Sequence, residues 1–139
     1  MKVKWVLQTV VLVLLLLVSV AGASAESPLQ NIDGLYFWHG DTNYPVYDTG
    51  NRFCSALDAS SAYIVSDNDE ELVIAVSLVS ISYGSDEIVD VHLGTFREDK
   101  HTGKASLCHE ASGMCQRVGG SKLLNDAYYY LKTCLGNVI

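Results

Sequence analysis

Residues 72–83 read LVIAVSLVSISY, and this run limits the possible folds more than any other stretch. On a strand, successive side chains point to opposite faces. Leu72, Ile74, Val76 and Leu78 then share one face, and Val73, Ala75 and Val79 share the other. A strand that is apolar on both faces has to lie inside a sheet covered on each side. After Leu78 the first face turns to Ser80 and Ser82, so the cover ends there or a bulge shifts the phase.

Shorter segments surround this strand. Residues 26–31 form a polar lead-in, followed by aromatic strands at 35–39 and 44–47 around a Gly40-Asp41-Thr42-Asn43 turn. Residues 62–66 run up to a turn at Asp67-Asn68-Asp69-Glu70, from which the apolar strand returns. A turn at Gly84-Ser85-Asp86 leads into EIVDVHLGTFRED, where Val89, Val91 and Leu93 are expected to face inward and Asp90, His92 and Gly94 outward. Past the DKHTG turn, residues 104–108 and 115–118 form a last hairpin. The chain then changes period. Ser121 fits a helix N-cap, Leu124, Ala127, Tyr128, Leu131, Cys134 and Leu135 recur at helical spacing, and Gly136 is a terminator. The expected fold class is α+β: an antiparallel sheet of short strands with one C-terminal amphipathic helix packed on it.

The N-terminus reads MKVKWVLQTVVLVLLLLVSVAGASAES. Lys2 and Lys4 precede an apolar run, and Ala23-Ser24-Ala25 matches the small-residue pattern before a signal cleavage site. Residues 1–25 therefore read as a signal peptide, and 26–139 as a single small domain, secreted, periplasmic or held at the cell surface. Left uncleaved, the segment is about long enough to serve as a membrane anchor. All sixteen acidic residues but only seven of the nine basic ones follow Ala25, giving the exported part a charge of about −9. A chain this acidic carries no electrostatic footprint for nucleic acid.

Cys54, Cys108, Cys115 and Cys134 all lie in the exported part. In an oxidising compartment four cysteines read as two disulfides with three connectivities. The expected pairs are Cys108–Cys115, across the tip of the last hairpin, and Cys54–Cys134. A zinc site is disfavoured because Cys108 and Cys115 are too far apart for a knuckle, and no C-x-x-C redox pair occurs.

Few residues point to chemistry. Asp90 and His92 would share one strand face, where an aspartate can orient an imidazole, but a solvated outer face is the simpler reading. DNDEEL lacks the glycine and closing ligand of a calcium loop. No G-x-S-x-G elbow supplies a nucleophile, so no catalytic residue, metal ligand or cofactor site is assigned. The aromatic group Tyr36, Trp38, Tyr44 and Tyr47 is the candidate binding surface, since such rings give large contact area at low entropic cost. The alternative is that these rings cap a small core.

The stretch ALDASSAYIVSDNDEELVIAVSLVSI, followed by a strand ending GTFRE and a closing helix, resembles small exported domains of the bacterial surface-adhesin protein E type. That resemblance implies a non-catalytic binding module of the cell envelope or surface, with an unidentified protein or surface partner. It carries over no functional residue. An acidic inhibitor of a basic hydrolase such as lysozyme is the alternative, since a strongly negative surface suits a basic target.

Overall fold

Strand β5 (Glu71–Ser82) lies in the middle of a six-stranded antiparallel sheet. The computed structural model describes residues 27–136; the expected signal segment, residues 1–25, lies outside the described residues. The sheet runs in sequence order from β3 (Val46–Thr49) through β4 (Phe53–Asp67), β5, β6 (Glu87–Asp99) and β7 (Ala105–His109) to β8 (Cys115–Arg117). Strands β1 (Leu29–Ile32) and β2 (Leu35–Trp38) make a separate hairpin, tied to the sheet by a bridge between Phe37 and Pro45. A 3-10 turn at Val118–Gly120 leads into helix α1 (Lys122–Cys134). This is the expected α+β architecture.

Each face of β5 has its own core. Leu72, Ile74, Val76 and Leu78 meet Leu57, Phe96 and Leu107 from the sheet, and Leu124, Ala127, Tyr128 and Leu131 from α1. Ser121 caps the helix as the sequence suggests, its Oγ accepting from the Leu124 amide at 3.4 Å. The cover ends after Leu78, so Ser80 and Ser82 are only half-buried. On the outer face Val79 and Ile81 join Val46, Cys54 and Ala56 beneath Trp38, Tyr44 and Leu29.

Strand β4 starts at Phe53, well before the expected residue 62, because its alternation is broken. Between Asp58 and Tyr63 it advances five positions while β5 moves from Ser77 to Ala75. The Ser61 hydroxyl accepts from the Ser77 amide at 2.8 Å and donates to the Asp58 carbonyl at 2.6 Å. Asp58 in turn accepts from the amide and hydroxyl of Ser60. Ser61 thus satisfies a ladder donor, the Ser77 amide, that the bulge would orphan. Strand β1 was not expected at all. It pairs with β2 through Asp33-Gly34, whose φ values of 53° and 89° suit a two-residue hairpin turn.

Strand β6 reverses the expected facing. Val89, Val91 and Leu93 are exposed, Gly94 is buried and His92 half-buried, and of the three residues expected outward only Asp90 is solvated. Phe96 is fully buried in the helix-side core, so the period of two places Gly94 and His92 on that side as well. Gly94 is required there. A Cβ at this position would sit 2.6 Å from Leu78 Cδ1.

One of the two expected disulfides is present. Cys108 and Cys115 are directly paired across β7 and β8 and bonded, with Cα atoms 4.0 Å apart. In the chain-entropy model a loop this short contributes about 2.5 kcal/mol. Cys54 and Cys134 are both free thiols, which corrects the expected second bridge. Cys54 is buried on the outer face, whereas α1 lies on the other side of the sheet, and Cys134 is exposed in its last turn. Oxidised protein should therefore weigh two hydrogens less than the reduced chain. Native alkylation should label Cys134, with Cys54 reacting only on unfolding; a mass deficit of four hydrogens would contradict this pairing. Gly94→Ala should destabilise the fold by about 1–3 kcal/mol in urea melts. Combining it with Leu78→Ala should cost less than the two single changes summed, because the clash disappears.

Candidate functional site

The aromatic candidates do not form one open surface. Tyr36 is exposed, Trp38 and Tyr44 are half-buried, and Tyr47 is 4% exposed. The Trp38 and Tyr44 rings meet edge to face at 5.5 Å over the outer-face core. Phe37, on the opposite side of β2, packs edge-on against Tyr130 of α1 at 5.2 Å. Burial pushes the Tyr47 hydroxyl up to about 12, opposed by its hydrogen bond with Ser55. Tyr47 is thus a core residue. Of the tyrosine triplet in α1, Tyr128 is buried, Tyr130 donates to the Thr42 carbonyl at 2.8 Å, and Tyr129 faces solvent.

Asp86 fixes the aromatic edge in place. Trp38 Nε1 donates to one of its oxygens at 2.8 Å, and His39 Nε2 lies 2.5 Å from the other. The Trp38 bond first, then His39, holds this carboxyl below the usual carboxylate range. His39 and Asp86 both adopt left-handed backbone, with φ of 52°. Two turns distant in sequence therefore meet through one carboxylate, a contact that no sequence spacing announces.

The exposed apolar surface lies elsewhere. Tyr63 and Val65 of β4 and Val91 and Leu93 of β6 are each 44–58% exposed. They flank β5 in register: Tyr63 pairs with Ala75, Leu93 with Ser77, and Val91 with Val79. Trp38 and its neighbours cover the outer face around Val79 and Ile81, leaving these flanking side chains uncovered. Sequence reasoning missed this surface because the Val-x-Val-x-Leu pattern of β6 reads equally well as a core-facing stripe.

A second cluster sits on the helix side of β6 and β7. His92 Nε2 and His109 Nδ1 are 2.9 Å apart, with the rings stacked at a centroid distance of 5.2 Å. Asp90 lies 3.3 Å from His92 Nδ1. A hydrogen bond between two imidazoles needs one ring to accept, so the pair carries its shared proton only while one ring is neutral. Burial, and then the neighbouring His92, depress the His109 pKa. Asp90 and His92 were already paired as candidates. The partner seventeen residues further on follows from the β6–β7 register, where Gly94 pairs with His109. Beside His109 opens a cavity of about 300 Å³ lined also by Tyr47, Asp48, Ser55, Ser112 and Met114. Among the described residues no three His, Cys, Asp or Glu side chains converge on a common metal position.

No protein-family model matches this chain, and neither a curated protein nor a solved structure does.

The histidine pair has a consequence for stability. With the His109 pKa depressed in the fold, the unfolded chain binds a proton more readily, so stability falls as pH drops below the ordinary histidine value of 6.5. Denaturant melts between pH 7.5 and about 5.5 should record that loss, above the range where carboxylates titrate. His109→Gln should flatten it; an unchanged slope would mean that His109 titrates freely.

Proposed function

We propose that this chain is an exported, non-catalytic interaction domain of the cell envelope or surface, which binds a protein partner on the outer face of its sheet. The observation that carries this reading is the uncovered apolar surface formed by Tyr63, Val65, Val91 and Leu93. Exposed apolar side chains grouped on one face of a sheet are costly to leave in water and are a common basis of protein recognition. Tyrosine with branched aliphatic neighbours is also the composition of an interface centre.

Three further features support the reading. The N-terminal residues carry the pattern of an export signal. The Cys108–Cys115 bridge suits an oxidising compartment. The resemblance of residues 56–81 to surface-adhesin domains falls on β5 and on β4, which carries Tyr63 and Val65. The net charge selects among partners: an apolar centre ringed by basic groups would complement an acidic domain.

The test is capture of envelope and surface proteins on the oxidised chain, compared with a Val91→Thr/Leu93→Thr variant. Threonine keeps the β preference, so stability should change by less than about 1 kcal/mol. A partner held in high salt by the wild type and weakened at least tenfold by the variant is the expected result. Equal capture by both proteins would discard the outer face as the binding surface. Capture that vanishes in salt but ignores the substitutions would favour the acidic-inhibitor reading instead.

A further inference from the structure

We infer a binding site for a small organic anion between the β7–β8 hairpin and the N-terminal half of α1. A cavity of about 480 Å³ lies there, lined by Lys104, Ser106, Arg117, Asn125, Tyr128 and Tyr129 around the backbone of Gly119 and Gly120. This volume suits a ligand of small-molecule size.

Charge singles the cavity out. The described residues hold fifteen carboxylates against seven lysines and arginines. Four of those cations are in ion pairs, Arg97 with Glu71, Lys100 with Asp67, Lys122 with Asp126 and Lys132 with Glu98. Of the remaining three, Arg52, Lys104 and Arg117, two line this one cavity, and none of its lining residues is acidic. In so acidic a chain, a concave surface with two unpaired cations and no carboxylate is a local reversal of sign. Glu98, which the cavity-lining Tyr128 contacts, is occupied, accepting from the Tyr128 hydroxyl at 2.6 Å and from Lys132 at 2.8 Å.

The surroundings strengthen the reversal. Gly119 and Gly120 lead directly into Ser121, the N-cap of α1, so the positive end of the helix dipole adjoins the same space. A Cβ at Gly103 or Gly119 would meet nothing within 4 Å, so the glycine backbone leaves the wall open. Tyr129, half-exposed, lines the cavity and adds apolar ring surface to it. A guanidinium fork suits a planar or tetrahedral oxyanion. The ligand class is therefore a carboxylate, sulfate or phosphate group carried on an aromatic or apolar body.

Lys104 also borders a neighbouring cavity that contains Glu70, Glu71, Glu98 and Asp99, whereas Arg117 does not line that cavity. Arg117 is accordingly the residue that decides. The site shares no lining residue with the surface formed by Tyr63, Val65, Val91 and Leu93 and does not depend on a partner binding there.

The experiment titrates the full chain with benzoate, phenyl sulfate and phenyl phosphate, using phenol as the uncharged control. Amide shifts of Gly103, Gly119 and Gly120 report binding. The anions should shift these glycines saturably and phenol should not. Arg117→Gln should weaken binding at least tenfold and Lys104→Gln severalfold, with the thermal midpoint of each variant unchanged. Whether benzoate or the sulfate and phosphate esters bind more tightly then identifies the oxyanion. Equal shifts with phenol, undiminished binding by the Arg117 variant, or shifts spread over Arg52 and the other surface cations would each overturn the assignment.

Discussion

Everything in this fold follows from the need to cover β5 twice. Its helix-side residues, Leu72 to Leu78 in alternation, are at most 3% exposed. At about 25 cal/mol per Å² of apolar surface removed from water, this burial is a large favourable contribution to the fold. The helix answers one face. The β1–β2 hairpin answers the other only around Val79 and Ile81, with Trp38 and Tyr44 as its cover. The proposed partner would use the uncovered side chains of the two strands that flank β5, Tyr63 and Val65 of β4 and Val91 and Leu93 of β6.

Polar contacts then fix how the covering layers sit. Asp86 joins the β5–β6 turn to Trp38 and His39, so the hairpin cannot slide along the sheet without losing two charge-assisted bonds. Glu98 plays the same part for α1, receiving Tyr128 and Lys132 from successive turns of the helix. Burial opposes its charge, yet these two donors hold its pKa below the ordinary carboxylate value. In both places a carboxylate orients an element whose apolar contacts alone would tolerate several positions.

Two neighbourhoods, on β6 and β7 and around the β7–β8 hairpin, depend on the sheet's register. Gly94 lets Leu78 approach and keeps the helix-side face level beside His92. The pairing of β6 with β7 brings His92 to His109, and the pairing of β7 with β8 sets Ser106 opposite Arg117 at the edge of the charged cavity. Neither neighbourhood is marked by a motif, since each gathers side chains from separate strands.

The local signals in the chain were read correctly where a single element decides the outcome. The doubly apolar run at 72–83, the Ser121 cap, the helical spacing of Leu124, Ala127, Tyr128 and Leu131, and the Cys108–Cys115 staple all follow from short-range stereochemistry. The β4 bulge escaped because Ser60 and Ser61 interrupt the alternation that marks a strand. The facing of Val91 and Leu93 escaped because a period of two has no sign: either face of β6 suits the core until Phe96 and Gly94 are placed against Ile74 and Val76. The Cys54–Cys134 pair failed for the same reason, since only the sheet's position shows the two thiols lying on opposite sides of it. By itself, then, the sequence determined the central strand, the later strands and turns and the helix, whereas β1 and the first half of β4 emerged only from strand pairing. The tertiary structure decided which faces meet, because facing depends on register and packing between residues far apart in the chain.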